Sequence, residues 1–328
     1  MATVGVDVGG TKCLAVVLDG GRITAEAKVP TPQEPGPLLD TIAALVTRLS
    51  GDSAGAGGAE VAAVGVGAPG LVDVAGVLRF APNLPGIVGL GLKTELEARL
   101  GVGVQADNDA TCAAWGERQL GAARGFDEMV LVTLGTGIGG GIVSGGCIDR
   151  GANGFAGEIG HMVVDPEGPV CLCGRQGCWE RFASGRGLGR LGREAAMAGR
   201  ASRVRALAGG DPDDVRGEHV TAAAAEGDAE ALAVMERLGW WVALGLANLA
   251  NIFDPEAFVL GGGLAEAGDV LLAPVRSAFA RVVGGYGHRP AVEIVPATLG
   301  ERAGAIGAAC LAAEFSEAGA RFGRSEAL

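Results

Sequence analysis

Three cysteines, a histidine and three glutamates, Glu158 and Glu180 among them, crowd into the run GEIGHMVVDPEGPVCLCGRQGCWE, from Gly157 to Glu180. Cys171, Cys173 and Cys178 offer three thiolates, and His161, ten residues upstream, offers a fourth donor. Cys3His is a tetrahedral zinc set that leaves no coordination position open for water, so the reading is a structural zinc. Gly174 and Gly177 lie between the cysteines and let the backbone wrap an ion. A disulfide or three buried thiols is the other reading; clustered cysteines in a reducing compartment favour metal. A closed zinc does no chemistry itself. Its use is to fix its neighbours, chiefly Glu158, His161 and Glu180.

Three glycine clusters are the second chemical signal. DVGGTK carries Asp7, Gly9, Gly10, Thr11 and Lys12; LGTGIGGG carries Gly135, Thr136 and Gly137; LGGG ends in Gly261, Gly262 and Gly263. Such turns allow backbone N–H groups to approach phosphate oxygens closely, although each alone also reads as an ordinary turn. Two are alike: strand, glycine-rich turn with a threonine, strand, some 130 positions apart, which points to an internally duplicated architecture. Asp107-Asn108-Asp109 stands where a short strand meets an Ala-rich helix, the place where open α/β folds put ligands. A helix cap accounts for one of these acids, not for three polar residues. Asn83 sits in APNLPG between two prolines, on a defined loop, and reads equally as a turn asparagine.

The elements that must position these groups follow from periodicity. Thr3–Val8, Cys13–Leu18 and Ile23–Val29 read as an antiparallel meander. Helices are expected over Leu38–Ser50, Leu92–Leu100, 110–120, Ser184–Ala198, Val220–Glu226, Ala229–Ile252 and Arg302–Glu314, and strands over Val61–Gly67, Gly103–Ala106, Met129–Thr133, Gly141–Ser144 and Ala257–Leu260. Gly51–Gly58 reads as a flexible connection and Ser316–Leu328 as a frayed tail.

With 328 residues the chain is long enough for two domains. Its formal charge of −12 and pI of about 4.8 oppose a nucleic-acid-binding role. Of 26 basic residues only Lys12, Lys28 and Lys93 are lysines. Nothing after Met1 resembles a secretion signal, the uncharged run Leu238–Phe253 is too short to span a membrane, and Cys13, Cys112, Cys147 and Cys310 stand isolated. A cytoplasmic location without membrane contact is expected.

DVGGTK, NDA before a helix, LGTGIGGG, GEIGH, CxCGxxGCxE and LGGG, in that order from about residue 3 to 313, resemble the ROK family of sugar kinases and repressors. The nearest likeness is to its bacterial ATP-dependent glucokinase branch. The resemblance implies an α/β, actin-like two-domain fold with an interdomain active-site cleft and a structural zinc loop. The small domain would cover 2–109 plus 301–315, the large one 110–300, with 316–328 a flexible tail. It implies ATP with its phosphates at Gly9–Lys12 and Gly135–Gly137 and its adenosine near Gly261–Gly263, and Mg2+ close to Asp7. Asp109 would be the base; Asn83, Asn108, Asp109, Glu158, His161 and Glu180 would bind the sugar, with His161, Cys171, Cys173 and Cys178 on Zn2+. A homodimer or homotetramer is implied as well.

Two stretches depart from the usual pattern: Ala110-Thr111-Cys112, where a second asparagine is common, and Ile87-Val88-Gly89, where a tryptophan is common. They bear on sugar selectivity. Glucose is the expected substrate; N-acetylmannosamine, mannose or fructose stay open, as does polyphosphate as donor. A sugar-responsive repressor would need a DNA-binding helix-turn-helix ahead of the first strand; with the glycine turn opening at Asp7 and an acidic charge, that reading is not expected.

Overall fold

The computed structural model describes residues 1–55, 60–285 and 288–325. The chain divides into two compact units, Met1–Gly125 with Gly141–Gly157 and Thr298–Leu328, and Phe126–Gly140 with Glu158–Ala297.

The first unit begins with the meander β1 (Ala2–Val8), β2 (Lys12–Asp19) and β3 (Arg22–Pro30), followed by α1 (Pro35–Gly55) and β4 (Val61–Ala68). Short strands β5 (Leu71–Val72), β6 (Val77–Phe80) and β7 (Leu90–Gly91) form a small separate sheet before α2 (Leu92–Leu100), β8 (Gly103–Asn108) and α3 (Asp109–Leu120). The main sheet has the order β3-β2-β1-β4-β8, with β4 parallel to both β1 and β8. Period-2 alternation sorts its faces. Val4, Val6 and Val8 are fully buried in a cluster with Leu38 and Ile42 of α1 and Leu92 and Leu96 of α2. Truncating one such residue, Leu38→Ala for example, costs about 2–5 kcal/mol. On the opposite face β1 and β4 carry glycine, and a Cβ at Gly5 or Gly65 would lie 1.8 Å or 1.9 Å from the carbonyl oxygens of Ala305 and Ala308. That allows the last helix, α10 (Ala303–Ser325), to lie directly on the sheet.

The second sheet has the order β11-β10-β9-β12-β13, built from β9 (Met129–Leu134), β10 (Ile138–Ser144), β11 (Cys147–Asp149), β12 (Ala257–Gly261) and β13 (Glu293–Pro296). This repeats the strand order of the first, as the paired glycine motifs suggest. Between β11 and β12 lie α4 (Glu180–Ala183), α5 (Gly185–Met197), α6 (Ser202–Leu207), α7 (Gly217–Ala225) and α8 (Ala229–Phe253); α9 (Asp269–Val282) follows β12. One core holds Val130, Val132, Trp179, Leu246 and Phe258. No helix among the described residues is long and apolar enough to cross a membrane.

Three expectations need correction. The helix after Asp109 was assigned with 110–300, but residues 110–125 group with the first unit, because α3 meets α10 backbone to backbone: a Cβ at Gly307 would fall 1.6 Å from the carbonyl oxygen of Cys112. The tail expected from 316 is helical through Ser325, since no proline interrupts the run; 326–328 lie outside the described residues. The connection expected at Gly51–Gly58 is helical through Gly55, and 56–59 lie outside the described residues.

Candidate active site

In the first unit the turn between β1 and β2 is closed by the Gly9 N–H donating to the Lys12 carbonyl at 2.9 Å. Neighbours hold its outer edge. The Thr31 hydroxyl donates to the Gly9 carbonyl at 2.8 Å, the Thr31 N–H to the Thr11 carbonyl at 3.0 Å, and the Gln33 amide to the Gly10 carbonyl at 3.0 Å. The carbonyls are thus taken by protein. Asn83 packs on Gly10, whose Cβ would stand 3.2 Å from the Asn83 Cβ. Lys12 meets Glu301 at 2.7 Å, and Lys28 meets the same carboxylate at 2.7 Å. The two ammonium groups hold Glu301 down to about 2.

Asp7 is the penultimate residue of β1, and its carboxylate packs against α10 where a Cβ at Gly304 would come within 2.8 Å of Asp7 Cγ. Burial pushes Asp7 up to about 7; the charge of Asp109 adds to the rise and Lys12 opposes it. A buried acid raised further by a neighbouring acid suits a bound divalent cation, which would favour its charged form.

The DND run resolves into three separate roles. Asp107 is buried, accepting from Arg150 Nε at 2.6 Å and from the Asn108 N–H at 2.8 Å. Asn108, not an acid, caps α3: its Oδ1 accepts from the N–H groups of Ala110 and Thr111 at 2.9 Å and 3.0 Å, and its Nδ2 donates to the Gly70 carbonyl at 3.0 Å. Asp109 is the first residue of α3, its Oδ1 accepting from the Ala110 N–H at 2.8 Å.

In the second unit the cysteine loop is a knuckle. His161, Cys171, Cys173 and Cys178 bring their ligand atoms within 4.8 Å of one another. Cys173 and Cys178 sulfurs are 3.6 Å apart and free, which rules out the disulfide reading in this structure; Cys171 Sγ lies 3.7 Å from His161 Nδ1. A tetrahedron with bonds of about 2.3 Å spaces its ligands about 3.8 Å apart, so the set fits zinc. Gly177 makes the fold of this loop possible at φ +77, where a Cβ would collide with the Asp165 carbonyl oxygen at 1.6 Å. With Nδ1 turned to the thiols, His161 Nε2 faces Glu158 at 3.8 Å. Burial raises the Glu158 carboxyl, His161 opposes this, and Glu180 adds to it.

Glu180 starts α4 immediately after Trp179, whose indole is buried and donates to the Trp241 carbonyl at 2.8 Å. Glu180 Oε1 lies 3.8 Å from Cys171 Sγ, and Oε2 accepts from the Ile138 N–H at 3.0 Å. Ile138 closes the second glycine turn, in which the Gly135 N–H donates to the Gly137 carbonyl at 3.0 Å. The third cluster adjoins it: β12 runs parallel to β9 with Gly261 opposite Thr133, and Gly262 sits on the backbone of Leu134. Gly135–Gly137 and Gly261–Gly263 thus share the carboxyl ends of two neighbouring parallel strands, where such sheets bind ligands.

Sequence reasoning missed Thr31, Gln33, Arg150 and Glu301. Thr31 had a signal. The β2–β3 hairpin turns at Gly20-Gly21, both at positive φ, and pairs Lys12 with Pro30, which delivers Thr31 to the first glycine turn. Glu301 and Arg150 carry no local mark.

Known proteins bear on this geometry. The ROK family pattern matches residues 3–315. The glucokinase of Streptomyces coelicolor is 43% identical over 321 residues, 95% of this chain and 98% of that protein. An N-acetylmannosamine kinase of Escherichia coli O139:H28 is 36% identical over 319 residues, 95% of this chain and 98% of that protein. The crystal structure of a ROK family glucokinase from Streptomyces griseus in complex with glucose and AMPPNP matches with a TM-score of 0.83 and 43% identity, covering 96% of this chain and all of that one. The fold is the actin-like α/β fold of ROK sugar kinases. By sequence and by fold, this chain belongs to the ROK family.

Proposed function

We propose that this chain is an ATP-dependent glucokinase, which transfers the γ-phosphoryl group of ATP to the C6 hydroxyl of glucose, giving glucose 6-phosphate and ADP. The observation that carries it is the 43% identity, over nearly the whole chain, to Streptomyces glucokinases, one of them crystallised with glucose and AMPPNP. In this reading Asp109 takes the hydroxyl proton as the bond to phosphorus forms, a task worth roughly 10²–10⁴ in rate. Held at the N-terminus of α3, it suits that role. Asn83, Asn108, Asp109, Glu158, His161 and Glu180 are proposed sugar ligands. Their amides, carboxylates and imidazole match hydroxyls that both donate and accept. Asn108 already spends its carbonyl oxygen on the α3 cap and one amide hydrogen on Gly70, so it offers the sugar its second amide hydrogen.

The backbone of Gly9–Lys12 and Gly135–Gly137 is proposed to receive the phosphates, and Gly261–Gly263 the adenosine. Mg2+ would be held near Asp7 and would neutralise phosphate charge as it develops. Zn2+ would occupy the knuckle and hold His161 by Nδ1, leaving Nε2 for Glu158 and the sugar. Assembly into a homodimer or homotetramer is proposed as well, to be read from the mass in solution by light scattering.

The test is to incubate the purified protein with Mg-ATP and, separately, glucose, N-acetylmannosamine, mannose and fructose, measuring ADP and sugar phosphate together. Highest kcat/KM on glucose is expected. Preference for N-acetylmannosamine would move the specificity to that of the relatives at 36% identity.

A further inference from the structure

The segment from Glu180 to Gly185 touches the second glycine turn at both of its ends. At one end Glu180 Oε2 accepts from the Ile138 N–H at 3.0 Å; at the other the Gly185 N–H donates to the Gly135 carbonyl at 2.8 Å. The carboxylate occupies the space a side chain at Gly137 would need, since a Cβ there would fall 2.1 Å from Oε2. Gly137 is not at positive φ, and its missing side chain leaves the room through which Glu180 reaches across it. The base of Glu180 is rigid as well. Trp179 beside it is fully buried, pinned by its indole bond, and fills the space over Gly245, whose Cβ would lie 2.0 Å from Trp179 Cε2.

We infer that Glu180 is a positioning residue for the nucleotide: its carboxylate holds the Gly135–Ile138 turn in the shape that receives phosphate, so that one side chain serves both substrates. This rests on the kinase reading above and adds a second task to a proposed sugar ligand. The two oxygens divide the work. Oε2 is committed to the turn, while Oε1, on the knuckle side, is the one turned toward Cys171 and left for a sugar hydroxyl. A hydrogen bond from a backbone amide to a carboxylate is charge-assisted and stronger than a neutral one. A sugar hydroxyl that fixes the carboxylate therefore also fixes the turn, and by linkage each substrate tightens the other.

The experiment is AMPPNP binding by calorimetry with Mg2+ and no sugar, on the wild type, Glu180→Ala and Glu180→Gln. Glu180→Ala is expected to weaken AMPPNP about tenfold, the loss of one charge-assisted bond. Glu180→Gln, whose amide oxygen still accepts from Ile138, should recover most of it. Equal AMPPNP affinity in all three proteins would overturn the inference and leave Glu180 a sugar ligand alone. A second measurement needs no variant: glucose added to the wild type without nucleotide should slow hydrogen exchange of the Ile138 amide, and unchanged exchange in protein that binds glucose would contradict the coupling. Absence of glucose turnover in the wild type would instead strike the kinase reading, a result the AMPPNP comparison keeps separate.

Discussion

The turn at Gly9–Lys12 and the turn at Leu134–Ile138 are made from the same residue types, two glycines and a threonine between strands, yet their surroundings differ in kind. The first is held through its carbonyls by neutral donors, Thr31 and Gln33, and its charged neighbours are poorly matched: the charge of Asp109 raises Asp7 while Lys12 is drawn to Glu301. The second is held through an amide by a carboxylate, Glu180, which is itself fixed by a buried tryptophan and a metal-ligand knuckle. One turn sits among charges that no carboxylate-to-amide bond organises. The other is organised in advance. A repeated sequence motif therefore specifies a backbone shape, and what the turn contributes to chemistry comes from side chains far away in sequence.

If chemistry belongs to the first region, its loss should leave binding intact. Asp109→Asn is expected to lower kcat by roughly 10²–10⁴ while glucose affinity, measured by calorimetry, stays close to that of the wild type. Substantial residual turnover would remove Asp109 from the role of base. The metal separates the regions next. Cys178→Ser should abolish binding of a single zinc ion per chain and lower the Tm by roughly 10 °C, because a structural zinc contributes folding energy directly. Wild-type protein that contains no zinc by elemental analysis, yet melts normally, would break this side of the comparison.

Titration tests the first region. Asp7, raised to about 7 chiefly by burial, binds a proton in the folded chain that it releases near 3.8 when unfolded. Its contribution to stability is thus present below pH 3.8 and is lost as pH rises through about 7, the reverse of a salt-bridged carboxylate. A cation at this site must displace that proton, so Mg2+ affinity should fall as pH drops below about 7, by up to about tenfold per unit. An Mg2+ requirement that stays constant from pH 8 to pH 5.5 would place the ion elsewhere. The smallest effect expected is that of Thr31→Val, which removes one hydroxyl bond to the first turn. A loss of about 1 kcal/mol in stability and a modest rise in KM for ATP should follow. A much larger loss would mean that this turn is as tightly organised as the second.

The duplicated hairpins, the zinc donor set and the strand-to-helix junction at Asp107–Asp109 were legible because each lies within one short run, where periodicity and spacing carry the information. The small sheet was not, since β5 and β7 are two residues long and show no alternation. Helix α9 carries Pro274, which reads as a breaker, and Pro274 packs against Gly239 of α8. Contacts over long separations were the least visible. Lys12 reads as a phosphate ligand in its motif, yet its partner Glu301 lies 289 positions away. Glu117 is wholly buried in α3 and satisfied by the N–H groups of Ala122, Thr298 and Leu299, a tie to the segment before α10 that no local pattern announces. The cap was expected from one of the acids and is Asn108 instead, because all three residues make acceptable caps and only the backbone conformation decides.

The most direct measurement is 31P NMR of a reaction containing the protein, Mg-ATP and glucose, run beside Asp109→Asn under the same conditions. The account predicts ADP and glucose 6-phosphate appearing in equal amounts with the wild type and neither with the variant. ATP consumed without glucose 6-phosphate, or equal product from both proteins, would contradict it.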